Sequence, residues 1–248
     1  LSLNSGDICA LYMPASIDAI LALIAMWTKG IIAAPLNTRL PAESLSAHLQ
    51  KIRCKTLISP SPLELSSSEI HIQLFSNLRA EQQTPAAKKP LLIPLENDAT
   101  ILFTSGSSGT SKACLHTIGN HYFSALGSNE NISLDAGDRW LLSLPLYHVA
   151  GIGILFRCLI SGATVCLAKD QDLVEAIDEF RPTHLSLVST QLHRVLEHSE
   201  KVEDKLSQCK VVLLGGSAIP PVLVETAYNR GLPLFASYGS TEMASQIT

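Results

Sequence analysis

The chain has 248 residues, of which 46% are hydrophobic and 16% charged, with a formal net charge of −4. That supplies core for one large domain or two lobes and rules out a disordered chain. A negative balance without a long basic run excludes nucleic-acid binding as the main task. The longest apolar candidate, AILALIAMW, is far short of the about 20 residues a membrane helix needs.

In chain order, Asp7–Met13 (DICALYM) reads as a buried strand followed by a Pro-Ala-Ser turn. Ile17–Lys29 has helical apolar spacing, and Gly30 suits a helix C-terminus. IIAAPLN is a second strand, Ala42–Lys51 a helix and TLIS a third strand. This β-α-β-α-β order predicts a parallel sheet covered by helices. Residues 60–90, rich in Ser, Pro, Gln and Lys, read as a mobile connection with a little strand in EIHIQLF.

LLIPLENDATILF then brings strand-like segments up to the most informative stretch, Thr104-Ser105-Gly106-Ser107-Ser108-Gly109-Thr110-Ser111-Lys112-Ala113. It holds two glycines, six hydroxyls and one lysine, with almost nothing to pack. Such a loop turns many N–H groups toward one point, and its natural guest is a polyphosphate. The spacing Gly106-x-x-Gly109-x-x-Lys112 is neither the Gly-Lys phosphate loop nor the dinucleotide pattern. The plain alternative is a flexible Ser/Gly linker.

The second half repeats the style. WLLSLP, ATVCLA, THLSLVS, VVLLGG and LFASYG read as strands. Between them Gly151–Ile160, Leu173–Phe180, Gln191–His198 and Pro221–Arg230 read as helices. The predicted class is α/β, with two predominantly parallel β-sheets flanked by helices. Residues 1–125 read as a first lobe ending in the phosphate loop, and 126–248 as a second lobe that carries the remaining ligand-facing stations.

Three stations follow strands of the second half. Leu144-Pro145-Leu146-Tyr147-His148-Val149-Ala150-Gly151 reads as a pocket wall at a strand's C-terminal end, or as a packed turn histidine. Gly215-Gly216-Ser217-Ala218-Ile219-Pro220 lets a flat ligand press on backbone, or is an ordinary β-α turn. In Ser237-Tyr238-Gly239-Ser240-Thr241-Glu242, Tyr238 can stack on a base and Thr241 can bond a phosphate. Glu242 there is a hard oxygen ligand for Mg²⁺. All three are expected at one sheet edge.

Arg157 is the only charge in GIGILFRCLI. Either it snorkels to water or it awaits an anion in the pocket, because an unpartnered buried guanidinium is costly. The six cysteines (Cys9, Cys54, Cys114, Cys158, Cys166, Cys209) contain no Cys-x-x-Cys pair and read as reduced core residues of a cytoplasmic protein.

Taken together, TSGSSGTSKA, LPLYHVAG, GGSAIP and YGSTE resemble the acyl-adenylate-forming enzymes, which include acyl-CoA synthetases, luciferases and peptide-synthetase adenylation domains. The resemblance covers essentially the whole chain. SLPLYHVAGIGILFRCLISGA, HLSLVSTQLHRVL, VVLLGGSAIP and YGSTEMAS look like the o-succinylbenzoate–CoA ligases of menaquinone biosynthesis. The resemblance implies ATP, Mg²⁺ and coenzyme A, with a small carboxylic acid as the other substrate and no nucleic acid or membrane span; it leaves open a homo-oligomer.

By the same resemblance, Ser105–Lys112 with Thr104 hold the β/γ-phosphates. Thr241 touches the α-phosphate and Glu242 binds the metal. Gly215, Gly216, Ser217, Ser237, Tyr238 and Gly239 frame adenine and the acyl group. His148 lines the acyl pocket, and Arg157 meets the substrate's second carboxylate. The family's ribose-binding aspartate and its small C-terminal domain with a catalytic lysine lie beyond Glu242, and the chain starts at Leu1 rather than methionine. It therefore reads as a piece of the large domain, and the isolated chain is expected to make thioester poorly. The rivals are another aryl- or fatty-acyl-CoA ligase, a peptide-synthetase adenylation domain, and a non-catalytic nucleotide-binding fragment. Against an adenylation domain, His148 stands where an aspartate would hold an ammonium.

Overall fold

A computed structural model describes residues 3–65, 69–79, 92–104, 111–168, 172–198 and 200–247. The chain divides into two compact units, Leu1–Gly119 and Asn120–Thr248.

The first unit opens with β1 (Ile8–Leu11), α1 (Ile17–Thr28), β2 (Ile32–Pro35), α2 (Ala42–Lys51) and β3 (Thr56–Ser59). β4 (His71–Leu74) and a short helix α3 (Phe75–Arg79) lie within the expected connection, the rest of which falls partly outside the described residues. β5 (Asp98–Phe103) and β6 (Ala113–Thr117) complete a sheet of order β4-β3-β1-β2-β5-β6. Every neighbouring pair is parallel except β5–β6.

Local chemistry sets these elements. Ser16 stands in extended backbone before α1 and its Oγ accepts from the Ala19 N–H at 3.1 Å, satisfying an otherwise orphaned donor. Ala19, Leu23, Met26 and Trp27 fall on one helical face and are buried. Trp27 Nε1 donates to the Ala99 carbonyl at 3.0 Å, fastening α1 to β5. Gly30 ends the helix at φ +68°, a conformation a Cβ would oppose.

The second unit contains most of α4 (Ile118–Asn131), then β7 (Arg139–Leu141), α5 (Val149–Ser161), β8 (Thr164–Cys166) and α6 (Leu173–Phe180). It continues with β9 (His184–Leu187), α7 (Ser189–His198), α8 (Glu200–Ser207), β10 (Val211–Leu214), α9 (Pro221–Asn229) and β11 (Leu234–Ala236). A small hairpin of β12 (Gly239–Ser240) and β13 (Ser245–Gln246) follows. The large sheet runs β11-β10-β9-β7-β8 and all its pairs are parallel. β9 and β10 are buried at every residue, as strands covered on both faces must be. The cysteines are free, and all but Cys114 are buried.

His184 on β9 is fully buried. Its Nε2 lies 2.9 Å from the Ser133 carbonyl and its Nδ1 2.9 Å from Thr183 Oγ1. Nearby, Asp138 is paired with Lys210 at 2.8 Å. Burial holds the His184 pKa below its ordinary value, outweighing the Ser133 carbonyl and the charges of Asp138 and Asp135, while Lys210 also lowers it. Below about pH 6.5 the unfolded chain takes up a proton that the folded ring refuses. Stability should therefore fall as pH drops through about 6.5 toward the depressed folded value. Thermal unfolding between about pH 7.5 and 5.5 measures this, and His184→Gln should flatten the slope. A slope identical in wild type and variant would show that another group controls it.

Candidate active site

In the first unit the expected phosphate loop hangs between β5 and β6. Ser105, Gly106, Ser107, Ser108, Gly109 and Thr110 lie outside the described residues. The neck below them is tightly bonded. Thr104 N–H donates to the Lys112 carbonyl at 2.9 Å, and Lys112 N–H donates to Thr104 Oγ1 at 3.1 Å. Ser111 Oγ donates to the Thr104 carbonyl at 2.7 Å, and Lys51 Nζ at the end of α2 donates to the Ser111 carbonyl. The Lys112 side chain is exposed and has no ion pair among the described residues. The loop thus joins two antiparallel strands, and α4 begins only after β6.

In the second unit the three stations follow β7, β10 and β11. These strands are parallel, so the stations share one end of the sheet. After β7 the chain turns through Pro145 to His148, which starts α5 from extended backbone without a side-chain cap. A Cβ on Gly151 would stand 2.2 Å from the Pro145 carbonyl oxygen, so only glycine lets the turn fold onto the first helical turn. Tyr147 and His148 rings lie 4.6 Å apart. His148 is exposed, yet enough protein surrounds its ring for desolvation to lower its pKa. That shift favours the neutral ring.

Gly215 N–H donates to the Leu187 carbonyl at 3.1 Å, and Ser237 N–H donates to the Leu214 carbonyl at 2.8 Å. A Cβ on Gly215 would lie 3.1 Å from the Ser237 carbonyl oxygen, so these two loops press backbone to backbone. Gly216 adopts φ +81°, and Ser217 and Tyr238 are exposed beside them. This is a flat-walled place suited to a planar ring. Gln191 on α7 ties the neighbouring strand ends: its Nε2 donates to the Ser143 carbonyl at 3.2 Å, and its Oε1 accepts from Val188 N–H at 3.0 Å.

Thr241 and Glu242 sit on a single 3-10 turn, Thr241–Met243, at the tip of the β12–β13 hairpin. Glu242 is exposed and has no ion pair among the described residues, so its carboxylate is available to a cation. Among the described residues no group of three or more His, Cys, Asp or Glu could hold a metal. Glu242 therefore fits a metal whose remaining ligands are phosphate and water, the habit of Mg²⁺.

Arg157 does not snorkel. It is only 2% exposed. Its Nη2 lies 3.4 Å from both Ser245 Oγ and Gln246 Oε1, and its guanidinium carbon stands 5.3 Å from the Trp140 ring centroid. Nε has no hydrogen-bond partner, and no carboxylate among the described residues pairs with the group. Burial lowers its pKa to about 10, which leaves it charged at pH 7.

Sequence comparison decides the family. The model of the AMP-binding enzyme family matches residues 1–248. The chain belongs to the AMP-binding enzymes. Among relatives of this AMP-binding chain, the 2-succinylbenzoate–CoA ligase of Bacillus subtilis (strain 168) is 31% identical over 99% of the chain and 51% of the relative. The Bacillus licheniformis enzyme of the same name is 34% identical, over 99% of the chain and 52% of the relative. The o-succinylbenzoate CoA synthetase (MenE) of B. subtilis, in complex with its acyl-adenylate intermediate OSB-AMP, superposes with a TM-score of 0.87 at 31% identity. That match covers 100% of this chain and 51% of the solved one. The same enzyme with ATP and magnesium ion gives a TM-score of 0.86 at 31% identity, covering 100% of this chain and 52% of that one. The chain spans about half the length of the curated relatives it matches.

Three sets of residues carry geometry that sequence reading did not single out. Lys51 buttresses the neck of the phosphate loop, Gln191 ties strand ends, and Ser124, Ser128, Ser245 and Gln246 surround Arg157 or its hairpin. Only Ser124 and Ser128 left a signal, since their i,i+4 spacing puts two hydroxyls on one face of α4.

Proposed function

We propose that the full-length protein is an ATP-dependent acid–CoA ligase acting on an aromatic acid with a second carboxylate, with o-succinylbenzoate as the leading candidate. The observation that carries the choice of acid is Arg157, a buried cation with no carboxylate partner among the described residues. Similarity to the succinylbenzoate ligases supports the same acid.

In the first half-reaction a carboxylate oxygen of the acid attacks the α-phosphorus of ATP, and pyrophosphate leaves with the electron pair of the broken P–O bond. In the second, the coenzyme A thiolate attacks the acyl carbon and AMP departs. Lys112 and the hydroxyls of the loop 104–111 neutralise the outgoing phosphates. The Thr241 hydroxyl donates to an α-phosphate oxygen, and the Gly215 and Ser237 backbones flank the adenine. His148, whose desolvation favours the neutral ring, borders the acid. Glu242 would hold Mg²⁺, which supplies charge neutralisation across the phosphates. Little covalent work falls to the protein, so positioning and electrostatics account for the catalysis.

The test is titration of the full-length protein with ATP over a range of Mg²⁺, comparing wild type with Lys112→Ala and Glu242→Gln. Lys112→Ala should weaken ATP binding by about 1.5–3 kcal/mol at every Mg²⁺ level. Glu242→Gln should shift the Mg²⁺ dependence to higher concentration and leave metal-free nucleotide binding near wild type. An unchanged Mg²⁺ dependence would remove Glu242 from the metal, and unchanged ATP binding in Lys112→Ala would remove the lysine from the phosphates.

A further inference from the structure

The Thr241–Glu242 turn is held from two sides. Its own hairpin is short: Gly239 pairs with Gln246 and Ser240 with Ser245. Ala244 at φ +56° and Ser245 at φ +123° both occupy backbone regions that non-glycine residues avoid. Strain of that kind persists only where surrounding contacts fix it. A two-strand hairpin of this length does not hold its own shape in water.

The fixing contacts come from two helices. On α4, Ser124 Oγ donates to the Ala244 carbonyl and Ser128 Oγ to Gln246 Oε1, both at 3.0 Å. On α5, Arg157 Nη2 reaches Ser245 Oγ and the same Gln246 Oε1. Gly153 lies one helical turn before Arg157. A Cβ there would stand 3.3 Å from Ser245 Oγ and 3.5 Å from Arg157 Nη1. Each helix thus offers an i,i+4 pair, Ser124/Ser128 and Gly153/Arg157, and the segment Ala244–Gln246 lies against both pairs. Asn129 Nδ2 donates to the Arg157 carbonyl at 3.3 Å and links the two helices directly.

We propose that Ser124, Ser128 and Arg157 are positioning residues which, through Ala244, Ser245 and Gln246, clamp the β12–β13 hairpin and so set where Thr241 and Glu242 stand. The proposal rests on the ligase reading for what that turn binds, but the clamp itself is a property of the unliganded fold. Gln246 Oε1 is its shared point, accepting from a neutral hydroxyl on one helix and a guanidinium on the other. The same guanidinium is the group assigned to the acid's second carboxylate. Occupancy of the acid site and placement of the metal-binding turn therefore share one side chain, and a coupling through it acts equally in both directions.

The test uses the full-length protein and the variants Gln246→Leu, Gln246→Glu and Ser128→Ala. Two readings are taken without any acid present: amide hydrogen exchange over residues 239–247, and affinity for ATP at saturating Mg²⁺. Gln246→Leu should speed exchange in the hairpin and weaken ATP binding about tenfold, the loss of one charge-assisted bond. Ser128→Ala should do the same to a smaller degree. Gln246→Glu keeps the shape and sets a carboxylate against Arg157, so it should recover most of both losses. A variant that lowers the melting temperature but leaves hairpin exchange and ATP affinity at wild-type values would overturn the proposal. So would equal damage from Gln246→Leu and Gln246→Glu. Wild type that binds no nucleotide would instead count against the ligase reading, and hydrogen exchange would still decide the clamp.

Discussion

Arg157→Leu in the full-length protein is expected to erode its preference for acids with a second carboxylate. The guanidinium is buried, charged at pH 7, and among the described residues is held by two 3.4 Å contacts to neutral oxygens and a ring face. Removing it costs a substrate with a distal carboxylate a charge-assisted partner, about 1.5–3 kcal/mol or roughly ten- to a hundredfold in kcat/KM. Benzoate-type acids lack that group and should lose less, through the loosened hairpin alone. Arg157→Lys keeps the charge without the planar fork and should fall between the two. Steady-state kinetics on a panel of acids with and without the second carboxylate checks this. Equal loss on both kinds of acid would make Arg157 purely structural and remove the physical support for a dicarboxylic substrate.

Gly239→Ala, with Gly151→Ala, should be among the most damaging single methyl additions in the second unit's site. A Cβ at Gly239 would lie 2.1 Å from the Ser245 carbonyl oxygen and 3.2 Å from the Gln246 Cα. Both are backbone, so no side chain can swing aside. The hairpin must open, and overpacking of this kind costs about 1–3 kcal/mol. Because the hairpin is a local element, the loss should show more in Mg²⁺-ATP binding than in global stability. Titration together with thermal unfolding separates the two. Wild-type ATP affinity in Gly239→Ala would mean that Thr241 and Glu242 do not depend on the hairpin's closure.

Much of the α/β framework was legible because it rests on local signals. Ala42–Lys51 and Leu173–Phe180 are helices over the expected residues, and the expected strand segments all contain strands. Their apolar runs are bounded by proline, glycine or polar turns, and parallel strands buried on both faces need no alternation to be recognised. The missed elements are those whose sequences lack such marks. β6 (ACLHT) is short and follows directly on the hydroxyl-rich loop, and its antiparallel pairing with β5 makes it a strand. α4 (IGNHYFSALGSNEN) contains two internal glycines and three asparagines, poor helix formers that its tertiary surroundings override. α8 is mostly charged, and its two apolar residues, Val202 and Leu206, are too few to mark it out.

The candidate site divides the same way. Loop composition pointed to phosphate, and the lone charge of GIGILFRCLI pointed to Arg157. That Arg157 lies against Ser245 and Gln246 could not be read from sequence, because those partners are 88 and 89 residues away and chemically ordinary. Glycine spacing likewise gave no hint that Gly239 and Gly151 face carbonyl oxygens at contact distance. Such requirements are set by which backbones meet, and sequence spacing does not record that.

The most direct measurement is acid-dependent exchange of labelled pyrophosphate into ATP by the full-length protein. It isolates the adenylation half-reaction and needs no coenzyme A. The expected result is exchange that requires Mg²⁺ and an acid, and that runs at least about tenfold faster with o-succinylbenzoate than with an aryl acid lacking the second carboxylate. Nucleotide binding without exchange on any acid, or exchange at the same rate whether or not the second carboxylate is present, would contradict it.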